Sequence, residues 1–193
     1  MKWIVLAIIA CLIPYTWITL HYRKENPAYE PYQDTKDRAQ VIRLLESGYQ
    51  RIDVRFERLV EPAVPPSPAA TTERIAGGVP SLLRDALIDQ PPVPSAFENV
   101  SAPSETLAGS PYSFEIACVQ PNHGERPVGS VLYLRGSEAV FMIGYDALPG
   151  DLQSRDLAVL ARIIVPAHAL EPGRYHATLV GARESRRWTF TVH

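Results

Sequence analysis

The pattern of apolar and polar residues begins with a long stretch that carries no charge. No residue from Trp3 to Leu20 is charged. Eighteen helical residues at about 1.5 Å each span roughly 27 Å, close to the thickness of a bilayer's hydrocarbon core. The pattern therefore predicts a single transmembrane helix over residues 1–22. Pro14 lies within this helix and predicts a kink, which would suit contact with a second membrane helix.

A second interpretation of the same stretch is a lipoprotein signal. Residues 8–11 have the form of a lipobox, in which cleavage would leave a lipid on Cys11. The apolar run continues beyond Cys11, however, and ends without the small residues that conventional cleavage requires. An uncleaved anchor is therefore favoured. Arg23 and Lys24 on its C-terminal side point to a cytoplasmic body, whereas the predicted fold of the body favours the N-terminus inside and a periplasmic body.

The segment from residue 23 to residue 61 combines three patterns. Its first part is rich in proline and tyrosine, which predicts an extended strap from which Tyr22, Tyr29 and Tyr32 contact either lipid headgroups or a partner subunit. Helical spacing then predicts a helix over about 35–47, and alternation over 49–60 predicts a half-buried strand. One helix and one strand bury little apolar surface, so we expect them to pack on the body or on a partner.

Residues 62–96 form a proline-rich linker in this interpretation, with a short helix starting near Pro80. Residues 97–193 then show short apolar runs separated by turn residues. Gly136-Ser137 predicts one hairpin, and residues 179–188 predict another. The predicted strands lie near 97–101, 112–119, 129–135, 139–145, 157–165, 174–181 and 187–192. About seven short strands predict a mainly β protein whose body is an antiparallel β-sandwich.

The end of the chain resembles a known family in the stretch "ALEPGRYHATLVGARESRRWTFTV". Leu170, Pro172, Gly173 and Tyr175 resemble the tyrosine corner of immunoglobulin-like and fibronectin type III-like domains, in which the tyrosine hydroxyl bonds back to the upstream backbone. The resemblance implies an Ig-like sandwich. An anchor followed by such a sandwich is also similar in layout to FixH-type and YtkA-like proteins, which accompany bacterial respiratory oxidases.

Composition and charge narrow the candidate partners. A formal net charge of -2 over 193 residues argues against a nucleic-acid partner, which requires a basic surface. The two cysteines, Cys11 and Cys118, lie far apart, and a membrane-embedded Cys11 could not bridge Cys118. We therefore expect no internal disulfide.

The candidate chemistry is limited. A copper site would combine His123, His168 or His176 with Cys118 or Met142, but their order differs from the usual arrangement of copper ligands. We therefore expect a buried apolar role for Cys118 and a surface position for His176. Arg186 and Arg187 flank Trp188 at a strand end, where solvation is favoured over stacking or anion contact. No nucleophile elbow or phosphate loop is present.

Taken together, these patterns predict a non-catalytic, membrane-anchored accessory or assembly subunit of a larger membrane complex, with a respiratory complex as the candidate. Its expected partners are membrane lipid and the other subunits, and no cofactor is expected. The alternative is an extracytoplasmic copper-handling domain that serves an oxidase.

Overall fold

The computed structural model describes residues 2–22, 31–62, 65–150 and 152–193. The chain divides into two compact units, with the boundary between Arg38 and Ala39. The helices are α1 (Lys2–Tyr22), α2 (Pro31–Glu46) and α3 (Ser81–Ala86). The strands are β1 (Gln50–Arg58), β2 (Glu73–Ala76), β3 (Ala96–Ser101), β4 (Glu105–Thr106), β5 (Tyr112–Val119), β6 (Glu125–Arg135), β7 (Glu138–Ala147), β8 (Ala158–Val165), β9 (Gly173–Leu179) and β10 (Glu184–Val192).

The uncharged start of the chain is helical, as predicted, and Pro14 lies inside α1. Within the described residues, however, no helix combines the length and the apolarity needed to cross a membrane. The prediction of a single-pass protein with its anchor at 1–22, on which the periplasmic placement of the body depended, is therefore wrong. The stretch from Trp3 to Leu20 lacks charge, but Pro14, Tyr15 and Thr16 interrupt its apolar run, and a span requires apolarity along its whole length.

Part of the predicted strap is helical. Helix α2 begins at Pro31, so Tyr32 lies in its first turn and not in an extended segment. Proline is well suited to a first helical turn because its missing N–H would have no partner there. Tyr22 is the last residue of α1, and Tyr29 lies outside the described residues.

The strands form one curled, mixed sheet with the order β2-β10-β9-β7-β6-β1-β8-β5-β3, and β4 also pairs with β10. The pairs β7–β9 and β10–β4 are parallel, whereas the other pairs are antiparallel. All seven strands predicted in the body are present, but an antiparallel seven-strand Ig-like sandwich is not what they form. That fold prediction is wrong because strands from outside residues 97–193 complete the sheet.

Strand β1 is the most consequential of these additions. Residues 50–54 pair with β6, and residues 55–58 pair with β8. One strand therefore joins the two halves of the sheet, which would otherwise have a break between β6 and β8. The alternation that predicted this strand is confirmed, since Val54 is buried and its neighbours Asp53 and Arg55 are exposed.

The concave side of the sheet holds the main core, which is aromatic at its centre. Trp188 lies 5.0 Å from Phe114 and 6.0 Å from Phe141 between ring centroids. Its indole Nε1 donates a 2.9 Å hydrogen bond to the Tyr112 hydroxyl. The Tyr112 ring stacks on Phe190 at 4.0 Å. Side chains from both ends of the sheet thus pack together inside one curl.

Strand β3, at one end of the sheet, contacts β10, which lies next to the strand at the other end. Arg186 of β10 is only 6% exposed, and its Nη2 donates a 2.6 Å hydrogen bond to the Phe97 carbonyl of β3. Gly181 sits at the same junction, where a Cβ would lie 2.9 Å from the Phe97 ring and 2.3 Å from the Glu184 carbonyl oxygen. Only glycine fits this approach without displacement of the backbone.

The convex side of β6 and β7 carries a second core. Tyr133, Val140 and Met142 point outward because their neighbours in each strand point into the main core. Leu44 of α2 and Leu83 of α3 cover them. The Gln40 side-chain oxygen accepts a 2.8 Å hydrogen bond from the Ile88 N–H, which ties α2 to the segment after α3.

Candidate functional site

The residues of the predicted corner lie together at the start of β9. Leu170 and Tyr175 are buried, whereas Pro172 and Gly173 are exposed. The Tyr175 hydroxyl donates to the Glu171 carbonyl at 2.9 Å and accepts from the Glu171 N–H at 3.0 Å. These contacts fix the turn that leads into β9, so Tyr175 has a structural role there.

The candidate copper ligands lie apart. Cys118 is in the main core, whereas Met142 is in the convex core. His176 is exposed on β9, His168 lies in the turn after β8 with a positive φ of 70°, and the Nδ1 of His123 is 2.7 Å from the Ser154 carbonyl. No group of three or more His, Cys, Asp or Glu residues in the described ranges could hold a metal ion.

Cys118 occupies an apolar environment beside the Tyr145 hydroxyl. The residue is 1% exposed, and burial raises the pKa of its thiol to about 11, with a smaller opposing effect from Tyr145. Burial also raises the pKa of Tyr145 well above its usual range. The thiol is therefore protonated at neutral pH, and it is the thiolate that acts as a nucleophile or metal ligand.

The buried thiol predicts a loss of stability in alkaline solution. Between pH 9 and pH 11 the unfolded chain releases the Cys118 proton while the folded chain retains it. The free energy of unfolding should therefore fall across this range, by about 2–3 kcal/mol from this group. Urea unfolding at pH 8, 9.5 and 10.5 measures how steeply the free energy of unfolding falls with pH.

Cys118→Ala should make this fall less steep. Cys11→Ala is the control and should leave it unchanged, because Cys11 is exposed. An equally steep fall in both variants would contradict the assignment to Cys118.

A cleft of about 260 Å³ lies on the convex face of β7, β9 and β10 and is lined by charged, polar and apolar side chains. It is here called the Arg187 cleft. Its floor follows from the strand register, in which Thr178 lies opposite both Val140 and Arg187. His176 lies in the adjacent row, opposite Glu138. Tyr49 and Pro80 form the walls.

Of the charged side chains that line the Arg187 cleft, Glu138 forms an ion pair, whereas Arg187 forms none with the described residues. The Arg135 Nη2 lies 3.5 Å from the Glu138 Oε2, so the two side chains form an ion pair. The Arg135 guanidinium also lies 5.3 Å from the centre of the Tyr49 ring. Arg187 is exposed, and within the described part of the chain no carboxylate lies within 4.0 Å of its guanidinium. Its charge therefore remains available to an anionic group from outside.

A second cleft, of about 360 Å³, adjoins the first and shares Arg187. It lies where β10 leaves β2, its partner over residues 184–187, and reaches β4, its partner over residues 191–192. Thr71, Glu73 and Ser104 line it. Arg187 thus lines both clefts.

The sequence only partly indicated this site. Arg186 and Arg187 were both expected at a solvated strand end, and this is wrong for Arg186, which lies under β3. Arg187 is exposed as expected, but Tyr49 and Pro80 come from distant segments, so their position beside it could not be predicted. The alternation of Trp188, Phe190 and Val192 into the core is the signal that places Arg186 inside and Arg187 outside.

Comparison with known proteins identified no relative of this chain. No model of a known protein family, no curated protein and no solved structure matches this chain.

Proposed function

We propose that this protein is a non-catalytic accessory or assembly subunit of a larger complex and that it acts through protein–protein contacts. The observation that supports this most is the apolar surface of α1. The exposed large apolar side chains of α1 are Trp3, Ile8, Leu12, Ile13, Tyr15, Trp17 and Ile18. Burial of one such side chain stabilises an assembly by roughly 1.5–3 kcal/mol, so contact with a partner surface is strongly favoured.

Helix α2 adds a second apolar surface. Val41, Ile42 and Leu45 are exposed, whereas Leu44 faces the convex core. Residues separated by three or four positions lie on the same side of a helix, so these three form one stripe. A stripe of this kind is the usual means by which a helix binds a groove or another helix. The link to respiratory complexes stays a prediction from the sequence.

Native mass spectrometry after chemical crosslinking in the cell of origin tests this proposal. We expect a species that contains the 21.4 kDa chain together with other polypeptides in a fixed ratio. Replacing Leu12, Ile13 and Trp17 with serine should remove those polypeptides. The control replaces Leu107 and Leu152, which are exposed outside the helices, and should retain them.

Thermal melting of each variant checks that the body of the protein remains folded. A bare wild-type chain would overturn the proposal, and so would an unchanged complex in the α1 variant. An adduct with lipid alone would also overturn it, because the proposed contact is with protein.

A further inference from the structure

The Arg187 cleft combines one unpaired cation with hydrogen-bond donors and an apolar wall. The Arg187 guanidinium presents donors in the fork geometry that matches a carboxylate. Thr178 lies directly opposite Arg187 on β9, and His176 lies one row away on the same face. Tyr49, Pro80 and Val140 line the remainder of the cleft. An anionic group at Arg187 would therefore have an apolar surface beside it.

The size of the cleft indicates what kind of molecule would fit. Pockets for small molecules and cofactors usually measure about 300–1,000 Å³, and this cleft measures about 260 Å³. One or two side chains of a peptide fit this volume better than a cofactor does.

The surrounding charge favours a single carboxylate over a polyanion. Glu138 lines the cleft, and Glu73 lies opposite Arg187 on β2. The chain as a whole carries a formal net charge of -2. Several negative charges in a ligand would be repelled by these groups, whereas one carboxylate can reach Arg187 while Arg135 holds Glu138.

We infer that the Arg187 cleft binds an acidic, aromatic-containing segment of the partner protein, with a carboxylate on Arg187 and the neighbouring aromatic ring against Pro80, since Tyr49 is only 2% exposed. This inference rests on the proposed function, since it names the chemistry of a partner. It places the specificity of the contact in the cleft, while the apolar helices supply most of the buried area. Aromatic and charged groups in such pockets commonly dominate the affinity of an interface.

N-acetylphenylalanine is the simplest probe, because it joins one carboxylate to one aromatic ring. We would titrate it into the purified full-length chain and record nitrogen–proton NMR spectra that include the arginine Nε signals. The expected result is movement of the signals of Arg187, His176 and Thr178. N-acetylphenylalanine amide, which lacks the charge, should bind about tenfold or more weakly, and so should acetate, which lacks the ring.

Arg187→Gln should weaken binding of N-acetylphenylalanine by about tenfold or more. Arg183→Gln is the matched control, because Arg183 is exposed in the connection between β9 and β10 and does not line the cleft. Equal binding of the acid and its amide would overturn the inference, as would equal binding by the wild type and Arg187→Gln. The titration uses the isolated chain, so it can fail while the α1-dependent complex persists, and the reverse also holds.

Discussion

A chain that begins at residue 97 is expected not to fold, although residues 97–193 contain all seven strands predicted for the body. Such a piece lacks β1, which pairs with β6 over residues 50–54 and with β8 over residues 55–58. Its loss would leave two unpaired inner edges and open the main core beside Val54. Backbone groups without partners and an exposed core are both costly. NMR spectra of the piece should show the narrow signal dispersion of an unfolded chain.

A chain that begins at residue 31 is the matched control, because it keeps α2, β1 and the covering of the convex core. We expect it to melt cooperatively. Cooperative melting of the piece from residue 97 would mean that β1 adds little to the sheet, and this would contradict the pairing described above.

Replacement of Trp188 with alanine should cost about 3–5 kcal/mol of the free energy of unfolding. The indole is 2% exposed and contacts the rings of Phe114 and Phe141. Its removal leaves a cavity and takes away a donor from the Tyr112 hydroxyl. That hydroxyl keeps its own 3.1 Å bond to the Pro103 carbonyl, so the main loss is packing. Urea unfolding followed by far-ultraviolet circular dichroism measures the change.

Trp17→Ala provides the comparison for Trp188→Ala. Trp17 is 64% exposed on α1, so its removal should change the free energy of unfolding of the body by less than about 0.5 kcal/mol. If the free energy of unfolding of Trp188→Ala lies within about 1 kcal/mol of the wild-type value, the aromatic centre does not stabilise the curled sheet.

The positions of the strands could be predicted from the sequence, because alternation is a local property. In β5, for example, Tyr112, Phe114, Ile116 and Cys118 all point inward, and the polar residues between them do not. The hairpin at Gly136 was also predictable, and Gly136 has the positive φ of 56° that a tight turn needs. Short β2 and β4 were missed, since strands of four and two residues leave too little alternation to detect.

Strand pairing could not be predicted, because it depends on contacts between distant segments. The local pattern at Leu170, Pro172, Gly173 and Tyr175 predicts an Ig-like end of the chain, yet β9 pairs in parallel with β7. A turn fixes the direction in which a chain enters a strand, but it does not select the neighbour of that strand. The membrane prediction depended on the absence of charge in one stretch, and this alone does not make a helix long and apolar enough to cross a bilayer.

The residues of the candidate site could likewise be predicted only in part from the sequence. Alternation within β10 separates the buried Arg186 from the exposed Arg187, and that distinction was available from the sequence. The neighbours of Arg187 were not, because Tyr49 follows α2, Pro80 precedes α3 and Glu138 begins β7. Only the folded sheet brings these segments together.

The contact between Arg186 and the Phe97 carbonyl has a consequence for aggregation. An open sheet normally ends in strands whose free N–H and C=O groups can pair with another molecule. Here β3, at one end of the sheet, lies against β10 near the other end. The Phe97 carbonyl of β3 already accepts a hydrogen bond from Arg186. The molecule therefore shields part of its own edge. Conditions that separate β3 from β10 would expose a template for fibril growth even while the rest of the sheet remained intact.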